Sequence, residues 1–433
     1  MKENFKILLI LTVILTLICV SACSHDSANR DRLIQYDPYS NIDWERVTQH
    51  KMETHLHAQD EFWDGPHHSL DWYAGMGRGD GNDGKGYQID TADRYTLLAS
   101  SPGNHTYWSG DTGWEFSAID PGFEDRNPHE MGVIAIPWME LKDTAERGDP
   151  CGGSSGFPYH IGAYFTDIPS TEHIDNTTVE SALDEVLNWE GPHYPEPRAI
   201  WAHPGRHYDG SPSENYHRFT DWFETFPRAG LWGFEIFNKT LIEERSLDIG
   251  CESQRNYWDD VALWDHLLTE LAPDRLIWGF AADDSSEPIY GLYLDRHWIG
   301  VLLDSDAFNP DDQTHSREEI VKAIDAGRFF TFRREPWNPD QTSPPDVPVI
   351  TNISVDHEAN KITIEVEQEE AEIKWVSGAA ENPAREVGLI IETGRTINLN
   401  NVKTKGYVRA HVTLETNGLG EVTTQPWGIQ NRP

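Results

Sequence analysis

His55-Leu56-His57 places imidazoles at alternate positions, and an extended strand of period two turns both to one face. Two imidazoles so placed can share one divalent cation. Three further apolar runs lead to residues of ligand type: residues 132–139 to Glu140, residues 199–202 to His203, and residues 276–282 to Asp283-Asp284. Where strands alternate with helices around a barrel, the carboxyl ends of the strands converge on one mouth, so residues distant in sequence can meet there. Histidines and carboxylates at those ends are suitable donors for hard or borderline divalent ions.

Such ends need an α/β framework. Between about Arg46 and Phe332 short apolar runs alternate with helix-like segments, such as 180–189 and 257–271, which predicts an α/β domain with a parallel sheet. Residues 333–345 then carry prolines at 336, 339, 344 and 345, a linker-like composition. From about Val347, runs such as Lys361-Ile362-Thr363-Ile364-Glu365-Val366 alternate apolar and polar residues between Gly or Asn turns, which predicts a small Ig-like β-sandwich. The expected organisation is a lipoprotein signal peptide at 1–22, a tether at 23–45, a metal-binding α/β domain at 46–335, a linker at 336–346 and the β-sandwich at 347–433.

The first segment joins a charged start, Met1-Lys2, to an apolar run over residues 7–20 and then Ser21-Ala22-Cys23, the pattern of an export signal. Val20-Ser21-Ala22-Cys23 reads as a lipobox, with Cys23 the lipid-bearing residue that ties the exported protein to the cell envelope. An uncleaved signal anchor is the alternative. Of four cysteines, Cys151 and Cys251 remain for the mature protein, either paired or as two thiols. A formal charge of -39 opposes nucleic-acid binding, which depends on Lys and Arg meeting phosphates. The Gly-rich stretch 75–86 lacks a Gly-Lys-Ser/Thr and has the wrong Asp spacing for an EF-hand, so it reads as a solvated loop.

In its order HxH, Glu, His, His-Pro, Asp, the chain resembles the PHP (polymerase and histidinol phosphatase) metallohydrolases over roughly residues 46–332. The matching stretches are Glu53-Thr54-His55-Leu56-His57, Ala202-His203-Pro204-Gly205, Gly233-Phe234-Glu235-Ile236-Phe237-Asn238, Gly279-Phe280-Ala281-Ala282-Asp283-Asp284 and residues 323–330. The resemblance implies a distorted seven-stranded TIM-like (β/α) barrel. It also implies a first metal held by His55, His57, Glu140 and Asp284, and a second held by Glu140, His160 and His203. The family's Asp-His and Asp-x-His, which serve a third metal, stand here as Asp93-Arg94 and Asp284-Ser285-Ser286. The expectation is therefore two divalent ions (zinc, manganese or iron), with Arg94 lending fixed positive charge where the third would lie and Asp64, or else His67, left as a lone third-site candidate. Arg94 could equally pair with a neighbouring Asp, and Glu235 fits a buried polar partner better than a metal.

Two divalent ions less the charges of Glu140 and Asp284 leave a positive site, suited to a small anionic or phosphorylated substrate. The expected activity is a metal-dependent phosphoesterase outside the cytoplasm, in which a water of lowered pKa attacks and Asp64 or Asp93 accepts its proton. The 17 tryptophans leave room for a carbohydrate-derived substrate stacked on Trp63, Trp72, Trp108 or Trp114, although core packing accounts for most tryptophans. The competing class is a surface binding protein with a degenerate, non-catalytic metal domain. Trp375 and Trp427 are the only tryptophans the C-terminal region could offer a ligand, which favours a spacer role there.

Overall fold

A computed structural model describes residues 33–57, 73–74, 93–101, 128–142, 160–166, 178–189, 195–204, 212–226, 230–238, 260–284, 295–334, 346–378, 388–414 and 420–430. The segment 1–32, Cys151, Cys251, Asp64, His67, Trp63, Trp72, Trp108, Trp114 and the stretch 75–86 lie outside these residues.

Seven strands run from β2 (Val47–His57) through β3 (Leu97–Ser101), β4 (Ile134–Lys142), β5 (His160–Tyr164), β6 (Arg198–Trp201) and β7 (Leu231–Asn238) to β8 (Trp278–Ala282). Their order in the sheet follows their order in sequence. β2, β3 and β4 pair in parallel, as do β6, β7 and β8, but β5 lies antiparallel to both its neighbours. The Thr54 hydroxyl donates to the Ala281 carbonyl at 2.9 Å, which brings the first and last of these strands together.

Beyond β2 the sheet continues through β9 (His297–Asp304) and β10 (Phe329–Arg334), both antiparallel, into the C-terminal strands. β10 pairs with β17 (Gly420–Thr424), β17 with β16 (Tyr407–Leu414), and β16 with β13 (Ala371–Val376) and β18 (Trp427–Ile429). With β14 (Ile390–Thr393) beside β13, and β1 (Ile34–Tyr36) beside β18, the whole is one mixed sheet of 15 strands. A second sheet of three strands, β11 (Ile350–Asp356), β12 (Lys361–Val366) and β15 (Thr396–Asn398), shares its core. Ile353, Ile362 and Ile364 from that sheet are buried in one cluster with Ile373, Trp375 and Val412 from the large one.

The expected TIM-like α/β barrel followed by an Ig-like sandwich is therefore corrected. Among the described residues strand outweighs helix, 44% against 21%, and the chain forms a large mixed sheet with only five helices. They are α1 (Pro128–Met131), α2 (Val179–Leu187), α3 (Pro212–Thr225), α4 (Asp260–Leu271) and α5 (Gln313–Asp325). The expected helices at 180–189 and 257–271 match α2 and α4 closely, since both carry an apolar stripe at helical spacing. The misreading lay in the strands, whose apolar runs show burial but not the direction of pairing. Residues 33–45, read as tether, include β1, and Trp427 Nε1 donates to Asp37 at 2.9 Å.

Strands β2 to β8 and the C-terminal strands are joined by polar locks as well as by ladders. Asp265 of α4 accepts from Arg409 Nε at 2.7 Å, Arg409 Nη2 at 2.6 Å, the Tyr407 hydroxyl at 2.8 Å and the Gly388 amide at 2.7 Å. Gln425 bonds both the amide and the carbonyl of Gly279 at 3.0 Å. Buried polar groups satisfied on every side fix a single arrangement of the parts they join.

Candidate metal centre

Five of the six expected ligands have described side chains, and all five converge. His55 comes from the carboxyl-terminal part of β2, Glu140 from β4, His160 opens β5, His203 follows β6 and Asp284 follows β8. His55 Nε2 lies 3.2 Å from Asp284 Oδ1 and 3.6 Å from Glu140 Oε2. His203 Nε2 lies 3.1 Å from Glu140 Oε1 and 3.7 Å from Asp284 Oδ2, and His160 Nδ1 lies 2.5 Å from Glu140 Oε1. Of His57 only the backbone is described, as the last residue of β2.

Two groups of ligand atoms each fit within 4.8 Å: His55, His203 and Asp284, and Glu140, His160 and His203. His203 thus belongs to both, whereas the resemblance implied it for the second alone. All these residues are at most 1% exposed except Asp284, whose side chain is 9% exposed. Nitrogen and carboxylate donors at this spacing suit divalent transition ions, so the residues present fit a metal pair.

The chain bends unusually where it delivers two of these ligands. His203 has φ 27° and Asp284 has φ 47°, conformations that L residues seldom adopt. Strain of this kind persists only where its surroundings hold it. For Asp284 the holder is its neighbour: Asp283 turns away and accepts from the amides of Asp295 (2.6 Å), Arg296 (3.0 Å) and His297 (2.9 Å). Glu53 accepts from the amides of His55 (3.1 Å) and Asp283 (3.2 Å), tying the first ligand strand to the last.

Glu235 has a bonding role, as its chemistry suggested. Its Oε1 lies 2.7 Å from His55 Nδ1, while Oε2 accepts from the His203 amide at 2.9 Å and Asn238 Nδ2 at 2.7 Å. An imidazole whose Nδ1 is held by a carboxylate keeps Nε2 directed at the opposite side, the arrangement common among metal-binding histidines. Burial opposes charge on His55, but Asp284, Glu235 and Glu140 outweigh it and raise its pKa well above the ordinary value. Burial dominates at His203 and lowers its pKa.

Arg94 and Asp93 do not join the cluster. They precede β3, at its amino-terminal end, where Arg94 Nη1 donates to the Met131 carbonyl at 3.1 Å. Asp93 lies 3.4 Å from Lys51 Nζ and 3.3 Å from Arg334 Nη2. Lys51 is four residues before His55 on β2, about 13 Å along an extended strand. Arg94 therefore does not stand in for a third metal, and Asp93 is held in an ion-pair network instead of facing a water at the ligands.

Glu53 and Asp283 stand in the sequence motifs without a role of their own, and His297 stands in none. Their only signal was position: polar residues just inside, or next to, strands that are otherwise buried. Comparison with family models, with curated proteins and with solved structures finds no match to this chain. Among the described residues no helix is long and apolar enough to cross a membrane.

Proposed function

We propose that this protein is a metal-dependent hydrolase, a phosphoesterase acting on a small anionic substrate. One observation carries the reading. The Glu140 carboxylate is met by three histidines delivered from three other strands, at 2.5, 3.1 and 3.6 Å, with Asp284 closing the far side. The motif resemblance to the PHP metallohydrolases points the same way.

His55 and Asp284 would hold one ion, joined by His57 if the resemblance carries over, and Glu140, His160 and His203 would hold the other. When bound, such ions supply a water acidic enough to attack at neutral pH and positive charge for a developing anion. The protein's part is orientation: Glu235 fixes the ring of His55 and the backbone of His203, and Asp283 fixes the turn that presents Asp284. Export and lipidation at Cys23 would put this chemistry on the outer side of a membrane.

Hydrolysis of an aryl phosphate by the purified chain with added manganese or zinc tests the reading. Turnover that His203→Ala abolishes supports it. A metal-loaded chain without turnover toward phosphate esters would point to a domain that binds ions without catalysis.

A further inference from the structure

Beside the ligands lies a second group that the metal chemistry does not use. His297, the first residue of β9, is fully buried, and neither ring nitrogen has a hydrogen-bond partner among the described residues. Its nearest acidic atom, Asp283 Oδ1, is 3.6 Å from Nδ1 and already accepts two backbone amides. Buried imidazole nitrogens left this way are rare and call for a partner.

The surroundings indicate what kind of partner. Arg333 of β10 is the direct cross-strand neighbour of His297, and Glu421 of β17 is the next residue in the same row. Cross-strand neighbours in one row project to the same face. Arg333 is partly exposed and is propped by Glu421, Nη1 to Oε1 at 3.3 Å. Its guanidinium carbon stands 5.5 Å from the centre of the Phe237 ring, which is itself 6.4 Å from the His297 ring. Phe237 is two residues beyond Glu235 on β7, and His297 bonds the carboxylate next to Asp284, so the group adjoins the ligands.

We propose that Phe237, His297 and Arg333 form a subsite beside the metal centre that takes a hydroxyl-bearing anion, the sugar-phosphate or sugar-acid part of the substrate. Burial, reinforced by Arg296 and Arg333, lowers the His297 pKa to about 4 and keeps the ring neutral at ordinary pH. A neutral ring donates from one nitrogen and accepts at the other, which suits a ligand offering both an anionic oxygen and a hydroxyl. Arg333 supplies a planar fork for a carboxylate or phosphate, and Phe237 an apolar face for the carbon skeleton. The subsite names a substrate class for the hydrolase reading and rests on it.

Calorimetric titration of the metal-loaded full chain with glucose 6-phosphate, glucuronate and glucose tests the subsite. At least one anion should bind about tenfold or more tighter than glucose, and the better of the two identifies phosphate or carboxylate as the preferred group. Arg333→Ala should erase that advantage and His297→Gln should reduce it, with metal content unchanged in both. Arg333→Lys keeps the charge without the fork and should fall between, which guards against a folding defect in the alanine variant. Anions that bind no tighter than glucose, or binding that neither Arg333→Ala nor His297→Gln alters, would overturn the subsite while leaving the hydrolase reading intact. Arg333-dependent binding in a chain that takes up no metal would keep the subsite and overturn the hydrolase.

Discussion

Two clusters of buried charge lie on one face of β2, four residues apart, and they are neutralised in opposite ways. Around Lys51, the carboxylates of Asp93 and Asp295 meet Lys51 and Arg334, with Arg334 Nη1 2.6 Å from Asp295 Oδ2 and Lys51 in direct contact with Asp295 Oδ1. Lys51 also sits 4.4 Å from the ring centres of Tyr95 and Trp298. Two cations answer two anions, and the cluster is complete within the protein. Around His55, the groups that meet Glu140 and Asp284 among the described residues are histidines; the pKa of His55 is raised and that of His203 lowered, so three carboxylates, Glu140, Asp284 and Glu235, outnumber the positive charge these rings offer. Burying carboxylates is unfavourable unless they are paired or coordinate a metal. The first cluster therefore reads as a structural bolt and the second as a cation site.

Substitutions in the two clusters should fail differently. Glu140→Ala should leave a folded chain that binds metal poorly, and should lower the proposed phosphatase activity about 10⁴-fold, roughly 5.5 kcal/mol of transition-state stabilisation. Steady-state kinetics with metal analysis reads this. Asp295→Ala should do the reverse, stranding Lys51 and Arg334 in the interior. Its stability should drop by about 3–5 kcal/mol, read as a lower urea midpoint, with metal stoichiometry preserved in the molecules that remain folded. If Asp295→Ala proved as stable as the parent, the bolt would be no bolt.

Acid should weaken both regions alike. His50, next to Lys51 on β2, has its pKa lowered by burial to about 4, as has His297 beside Asp283. In the unfolded chain both take up a proton near pH 6.5, so the unfolded state binds more protons between about pH 6.5 and 4. Stability should accordingly fall as pH drops through that window, on the order of 2 kcal/mol for each histidine. His50→Gln should remove its share of this slope without changing metal affinity. Glu421 acts in the same direction at lower pH: burial is outweighed by His411 and Arg333, its pKa falls to about 2, and its contribution should be lost as pH falls from about 4.5 to 2.

The smallest effect belongs to Glu235. Glu235→Gln keeps the shape but weakens its hold on the His55 ring, and should reduce metal affinity about 10–100-fold, as seen when carboxylates behind metal-binding histidines are removed. Competition with a chelator measures this. Unaltered affinity would make Glu235 a packing residue and nothing more.

The candidate centre was more legible in the sequence than the fold. Glu140, His203 and Asp284 could be picked out because Glu140 lies near the carboxyl end of an apolar strand and the other two lie just past one. His160 opens its strand instead, and β5 runs antiparallel, so a strand start arrives where its neighbours end: His160 pairs with Lys142 at the close of β4. The resemblance alone pointed to it. Arg94 misled for the converse reason, since it comes before β3 and so sits at the far end.

For the fold, alternation marked the C-terminal strands correctly but gave no sign of which sheet they would enter. Pairing is decided by partners remote in sequence, such as Phe332 with Val422 or Ile34 with Ile429, and by side chains such as Gln425 that bridge β8 and β10. A strand's own period fixes which face is buried and leaves its neighbour open. The large mixed sheet was for that reason invisible to a local reading.

If the His55 cluster is a cation site, metal content per folded chain will show it. Mass spectrometry after exposure to zinc or manganese and removal of excess ions should find two divalent ions per chain, with most of that metal lost in Glu140→Ala and none lost in Asp93→Asn. A folded chain that retains less than one ion, or a Glu140→Ala variant that retains both, would contradict it.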